Sequence, residues 1–129
     1  MSQTEAILNY LNASLCKDGL LQSDDALKVY NANCIVALWL EDFIFKYVTK
    51  AHFGPDSEKA KAFEDILKVH LPRVLEHFNR KMPDTKFLLG DRISLQDIKL
   101  GGSLGAMAVE IEDDPMKDFK SAFRAQVLA

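Results

Sequence analysis

Two cysteines, Cys16 and Cys34, are all that the sequence offers for thiol chemistry, and they lie far apart. Metal and redox pairs use close spacing, so both read as reduced thiols of a cytoplasmic protein. No excess of one charge stands out: sixteen Lys plus Arg face nineteen Asp plus Glu, a formal charge of −3 with both signs dispersed. Nothing in that balance selects for nucleic acid or an anionic membrane. The longest apolar run, Cys34 to Leu40, is too short to cross a bilayer, which argues against membrane insertion. The opening MSQTEAILNY carries an acidic residue and no basic region ahead of an apolar core, so it does not read as a secretory signal. Import into an organelle stays open. No close-set His, Cys, Asp or Glu pattern suggests a metal, and no segment requires a strand.

What the sequence does have is apolar material at helical spacing. At 48% hydrophobic residues, 129 positions suffice for one core. Ser2-Gln3-Thr4-Glu5 has capping-box form, and Ala6, Ile7, Tyr10, Leu11 and Leu15 follow at three- and four-residue intervals, predicting a short amphipathic helix. Ser23-Asp24-Asp25 then supplies a hydroxyl cap and acidic first-turn residues for a helix from about Asp24 to about His52, roughly 40 Å long. At 100° steps Leu27, Cys34, Leu38 and Phe45 fall on one face of it. Val29, Val36, Leu40, Phe43 and Tyr47 fall nearly opposite. Two apolar faces on one helix imply two packing partners.

Gly54-Pro55 ends that helix, and Asp56-Ser57-Glu58 opens another reaching about Met82 with Ala60, Phe63, Leu67, Leu71, Val74, Leu75 and Phe78 inward. Pro72 inside it predicts a kink, because proline removes a helical hydrogen bond. Ser94 and Asp97 form a capping box, with Ile93 and Ile98 placed as its hydrophobic staple. From Leu100 to Val109 the residues are apolar or small, which predicts a helix buried all round, with Gly101, Gly102 and Gly105 allowing close backbone approach. Asp114-Pro115 starts a last helix with Met116, Phe119, Phe123 and Val127 inward. The predicted fold class is all-α, a helical bundle.

The segment Phe87-Leu88-Leu89-Gly90-Asp91-Arg92-Ile93-Ser94-Leu95-Gln96-Asp97-Ile98 resembles the capping-box and staple segment of the glutathione transferase superfamily. Leu71-Pro72-Arg73-Val74-Leu75-Glu76-His77-Phe78 is similar to the long helix before it. Leu40-Glu41-Asp42-Phe43-Ile44-Phe45-Lys46-Tyr47 is similar to the first long helix of the family's carboxyl-terminal domain in sigma-, pi- and alpha-like classes. The resemblance implies that residues 17–129 form that helical domain and residues 1–16 a remnant last helix of the family's thioredoxin-like domain. Gln3 and Thr4 fall on the pair that contacts the γ-glutamyl end of glutathione, with Thr in place of Ser, and are expected to be vestigial. The sheet, the cis-proline loop and the residue that activates the glutathione sulfur have no counterpart here. Leu38 occupies the position from which an Asp of several classes reaches the partner's glutathione.

A catalytic role for Ser94 and Asp97 yields to the capping reading, since reciprocal capping accounts for both. His70 and His77, two turns apart, sit too far from each other to share a metal directly. Tyr30, Trp39 and Tyr47 fit core or interface better than a substrate pocket whose other wall would lie in the missing domain. The expectation is a non-catalytic interaction or structural module, needing no cofactor unless a thioredoxin-like domain supplies glutathione chemistry. It would bind a protein partner or a second copy through helix 24–52, with Leu38, Trp39, Leu40, Phe43 and Tyr47 as candidate interface residues. The alternative is a truncated piece of a glutathione transferase that conjugates glutathione to electrophiles.

Overall fold

In a computed structural model, the structure describes residues 4–15, 23–109, 114 and 116–127. Helix α1 spans Thr4–Leu15. Helix α2 (residues 26–52) is continuous but changes pitch: α-helical over Ala26–Trp39, π-helical over Leu40–Thr49, and α-helical again over Lys50–His52. Helix α3 (residues 56–81) repeats the pattern, with Asp56–Asp65 and Leu71–Lys81 α-helical and Ile66–His70 π-helical between them. Helices α4 (Leu95–Ala108) and α5 (Lys117–Val127) complete the described elements. Among the described residues there is no strand, only an isolated bridge between Phe87 and Gly90, and the fold is all-α. None of these helices is long and apolar enough to cross a membrane.

The core gathers around Trp39. Its ring centroid lies 4.9 Å from Phe43, 5.8 Å from Phe78 and 5.9 Å from Phe123, so α2, α3 and α5 meet on one aromatic cluster. The indole N–H, which would be costly to bury without an acceptor, donates to Ser103 Oγ of α4 at 2.9 Å. Phe63 stacks obliquely on Phe119 at 4.7 Å and closes the far side.

Helix starts depart from the sequence reading in one place. Asp25, not Ser23, caps α2: its carboxylate accepts from the amides of Leu27 at 3.0 Å and Lys28 at 3.1 Å, while Ser23 Oγ accepts from Asp25 N–H. A carboxylate at the positive end of a helix outcompetes a hydroxyl two residues back. The proposed cap over Ser2 to Glu5 lies outside the side chains described.

Pro72 produces a change of pitch. It sits at the start of the α-helical segment Leu71–Lys81, directly after the π-helical turn Ile66–His70. Proline's missing N–H and the clash of its ring with the preceding turn both favour a wider turn just ahead of it. That wider turn resets the buried stripe: Ile66 is buried and Ala60 is exposed, the reverse of the α-helical expectation. The π-helical stretch in α2 has a parallel effect. Bonds from i to i+5 lower the rotation per residue, so Phe43 and Val48, five apart, both reach the core.

Helix α4 corrects another expectation. Leu95, Leu100 and Met107 are buried, but Gly101, Gly102, Ala106 and Ala108 are exposed, and a Cβ added at Gly101, Gly102 or Gly105 would touch nothing within 4 Å. Among the described residues, these small side chains line an outward surface and do not admit a close-packed neighbour.

Candidate functional site

The outward side of α2 exposes apolar side chains along a long helix. Leu27 is 67% and Tyr30 63% exposed, and Cys34, a free thiol, is also exposed. These three lie at successive turns of the α-helical part, with Leu38 half-buried at its end. The opposite side carries Ala32, Ile35, Val36 and Trp39 into the core. Hydrogen bonding between the Tyr30 phenol and Cys34, reinforced by repulsion from the thiolate, raises the phenol's pKa above its ordinary value. The two groups therefore form a linked polar spot within an apolar stripe. Phe45 is exposed as well. The smaller rotation per residue through Leu40–Thr49 turns it out of line with Cys34 and Leu38.

Placed on this geometry, the five candidate interface residues divide. Trp39 and Phe43 are 0% exposed and belong to the chain's own aromatic core, so neither can meet a partner. Leu38, Leu40 and Tyr47 are half-buried and pack against that core. Tyr47 also stacks on His70, with ring centroids 3.7 Å apart and planes 17° from parallel, which ties the two π-helical stretches together. Leu27 and Tyr30, by contrast, are exposed. Periodicity groups Leu27 with Cys34 and Leu38, but which of two apolar faces turns inward depends on neighbouring helices that lie far away in sequence.

Ser94 and Asp97 hold a loop and a helix start in place. Ser94 Oγ accepts from the Asp97 amide at 3.3 Å, and the Asp97 carboxylate accepts from Ser94 N–H at 2.8 Å and from the Ser94 hydroxyl. Its other oxygen accepts from Leu88 N–H at 2.9 Å, a bond that sequence spacing gave no reason to expect. Ser94 is fully buried, and its hydroxyl proton is held by a carboxylate that also accepts two backbone amides, an arrangement that suits capping and denies a nucleophile access to substrate. Ile93 and Ile98, proposed as the staple, both remain exposed.

Gln3 lies outside the described residues. Thr4 opens α1 but its side chain lies outside them, so the vestigial glutathione pair has no described geometry. His70 is occupied by Tyr47 and His77 is exposed. Among the described residues, no three His, Cys, Asp or Glu side chains converge to hold a metal.

A family model described as glutathione S-transferase, C-terminal domain, matches residues 41–126, well over half of the chain. The chain belongs to that family. The match runs from the π-helical part of α2 through the Asp97 latch to α5, so the helical glutathione S-transferase domain includes the whole aromatic core except its Trp39 centre. Comparison with curated proteins and with solved structures gives no match.

Proposed function

We propose that this glutathione S-transferase-type helical domain is a non-catalytic interaction module, a structural part of a larger assembly that docks through the outward face of α2. The observation that carries the reading is the stripe of Leu27, Tyr30 and Cys34, exposed along a helix whose other face already fills the core. An edge helix needs only one apolar stripe, and a second one normally marks a contact surface.

The stripe is also compatible with a second copy of itself. Reversed about Cys34, it sets Tyr30 opposite Leu38 of the copy, each four residues from the centre. Self-complementarity of this kind is what a two-fold interface requires. A homodimer or a heterologous protein partner both fit, in the cytoplasm.

Sedimentation and far-ultraviolet circular dichroism together test the reading. Leu27→Lys and Cys34→Lys are expected to leave helicity intact and to dissociate the assembly. A monomeric wild-type chain at high concentration, with no partner recovered on pull-down, counts against docking.

The second reading is a piece of a catalytic glutathione transferase, in which the same face would border a thioredoxin-like domain. Family membership is compatible with it, as with the first reading. An in-frame upstream coding segment for such a domain, with a Tyr or Ser near its start, would move the balance to that reading.

A further inference from the structure

A cleft of about 310 Å³ opens on the hairpin of α2 and α3, where residues of both π-helical stretches meet around the stacked rings of Tyr47 and His70. Wide turns of this kind are found mostly at functional sites. The apolar part of the wall is small: Ala51 and Ile66, both buried, and Ala62. Lys46 and Lys50 contribute cations from α2, and Glu58 and Asp65 contribute carboxylates from α3. Lys59, also in the wall, is neutralised by Asp56 at 2.7 Å. Among the described residues the other four make no ion pair, although Lys46 lies 5.4 Å from the centre of the Tyr47 ring. Two cations and two carboxylates therefore share one hollow without closing on each other.

The helix dipole accounts for half of this set. It favours a cation in the last turn of a helix and an anion in the first, which explains Lys50 and Glu58. It does not explain Lys46, inside the π-helical stretch of α2, or Asp65, well past the first turn of α3. Nor does it explain why opposite charges flank a hollow instead of pairing across it.

We propose that this cleft binds an ω-amino carboxylate group, a carboxylate and an ammonium joined by a short methylene chain, as in a free ω-amino acid or a carboxyl-terminal lysine. Lys46 and Lys50 hold the carboxylate, Glu58 and Asp65 hold the ammonium, and the methylenes rest on Ala62 and Ile66. A simple anion would meet the two carboxylates and a simple amine the two lysines, so a ligand carrying both charges is the one that neither wall opposes. The volume stands at the lower end of ligand pockets and suits a group of this size. The site shares no residue with the stripe of Leu27, Tyr30 and Cys34, and failure of the docking reading leaves it standing.

The test is an NMR titration of the isotopically labelled full chain with ε-aminocaproate and, in parallel, with hexanoate and hexylamine, which carry one charge each. Saturable shifts are expected at the Ala51, Gly54 and Ala62 amides, with ε-aminocaproate binding about tenfold more tightly than either single-charge compound. Lys46 and Asp65 are both exposed, so neutral variants checked for unchanged helicity separate the two walls. Lys46→Gln is expected to weaken ε-aminocaproate and hexanoate about threefold to tenfold and to leave hexylamine unaffected. Asp65→Asn is expected to weaken ε-aminocaproate and hexylamine by the same factor and to leave hexanoate unaffected. A short peptide ending in lysine, compared with the same peptide amidated at that end, distinguishes the two sources. Binding of the acid form alone extends the site to chain ends, and failure of both peptides confines it to free ω-amino acids. Equal affinity for the three small compounds would overturn the proposal, as would equal binding of both peptides, the same losses in both variants, or no saturable shift at all.

Discussion

Replacing Asp97 with alanine removes three acceptor contacts at once. The capping contribution of a box such as Ser94–Asp97 is about 1 kcal/mol. The amide of Leu88, a buried residue, would lose the Asp97 acceptor, and an unsatisfied buried donor costs about 1–3 kcal/mol. Asp97→Ala is therefore expected to lose about 2–4 kcal/mol in all. Ser94→Ala removes the acceptor for the Asp97 amide but keeps the Leu88 bond, so its loss should stay near 1 kcal/mol. Asp97→Asn can still present a carbonyl oxygen to Leu88 and should fall between the two. Denaturant unfolding followed by circular dichroism, with a constant slope across variants, measures all three. If Asp97→Ala loses no more than Ser94→Ala, the Leu88 anchor contributes nothing and the loop is held by packing alone.

Three further outcomes are expected. Trp39→Lys should abolish cooperative unfolding at any protein concentration, whereas Cys34→Lys should leave the transition intact and change only the sedimenting mass, because one side chain lies in the core and the other outside it. The hydrogen bond and ion pair from Lys120, at 2.6 Å, together with the Met116 amide hold the Asp114 carboxyl below its ordinary value, so its stabilisation is complete above the ordinary carboxylate range and disappears as pH falls through the lower folded-state value. Thermal melts of wild type and Asp114→Asn should accordingly converge in acid and separate near neutrality; parallel curves would refute the linkage. The isolated chain should neither stay on immobilised glutathione nor conjugate it to an aryl halide, and turnover above the uncatalysed rate would refute the non-catalytic reading.

Local chemistry was readable from the sequence, and long-range choices were not. The Ser94–Asp97 pairing depends on a three-residue spacing and a cap preference, both written in the chain itself. The inward positions of Phe119 and Phe123 likewise follow from simple helical spacing on a short helix. That Trp39 and Phe43 lie in the core was not legible, because periodicity finds apolar faces without saying which one Phe78 and Phe123 will cover. Pitch was invisible too: a uniform 100° step cannot anticipate the π-helical turn ahead of Pro72, so Ile66 was missed and Ala60 was counted inward. The glycines of α4 misled for a different reason, since small residues suit a tight seam and an open surface equally well in sequence.

The position of Asp97 also bears on the order of folding. Its bonds reach only three and nine residues back along the chain, so the loop and the first turn of α4 can form together before any distant helix arrives. The Trp39 cluster, by contrast, joins residues from α2, α3 and α5 and must wait for most of the chain. Asp97→Ala is therefore expected to slow refolding more than it hastens unfolding, as stopped-flow kinetics would measure. A truncation in the aromatic centre is expected instead to act chiefly on the unfolding rate, and so on how long the folded chain persists once made.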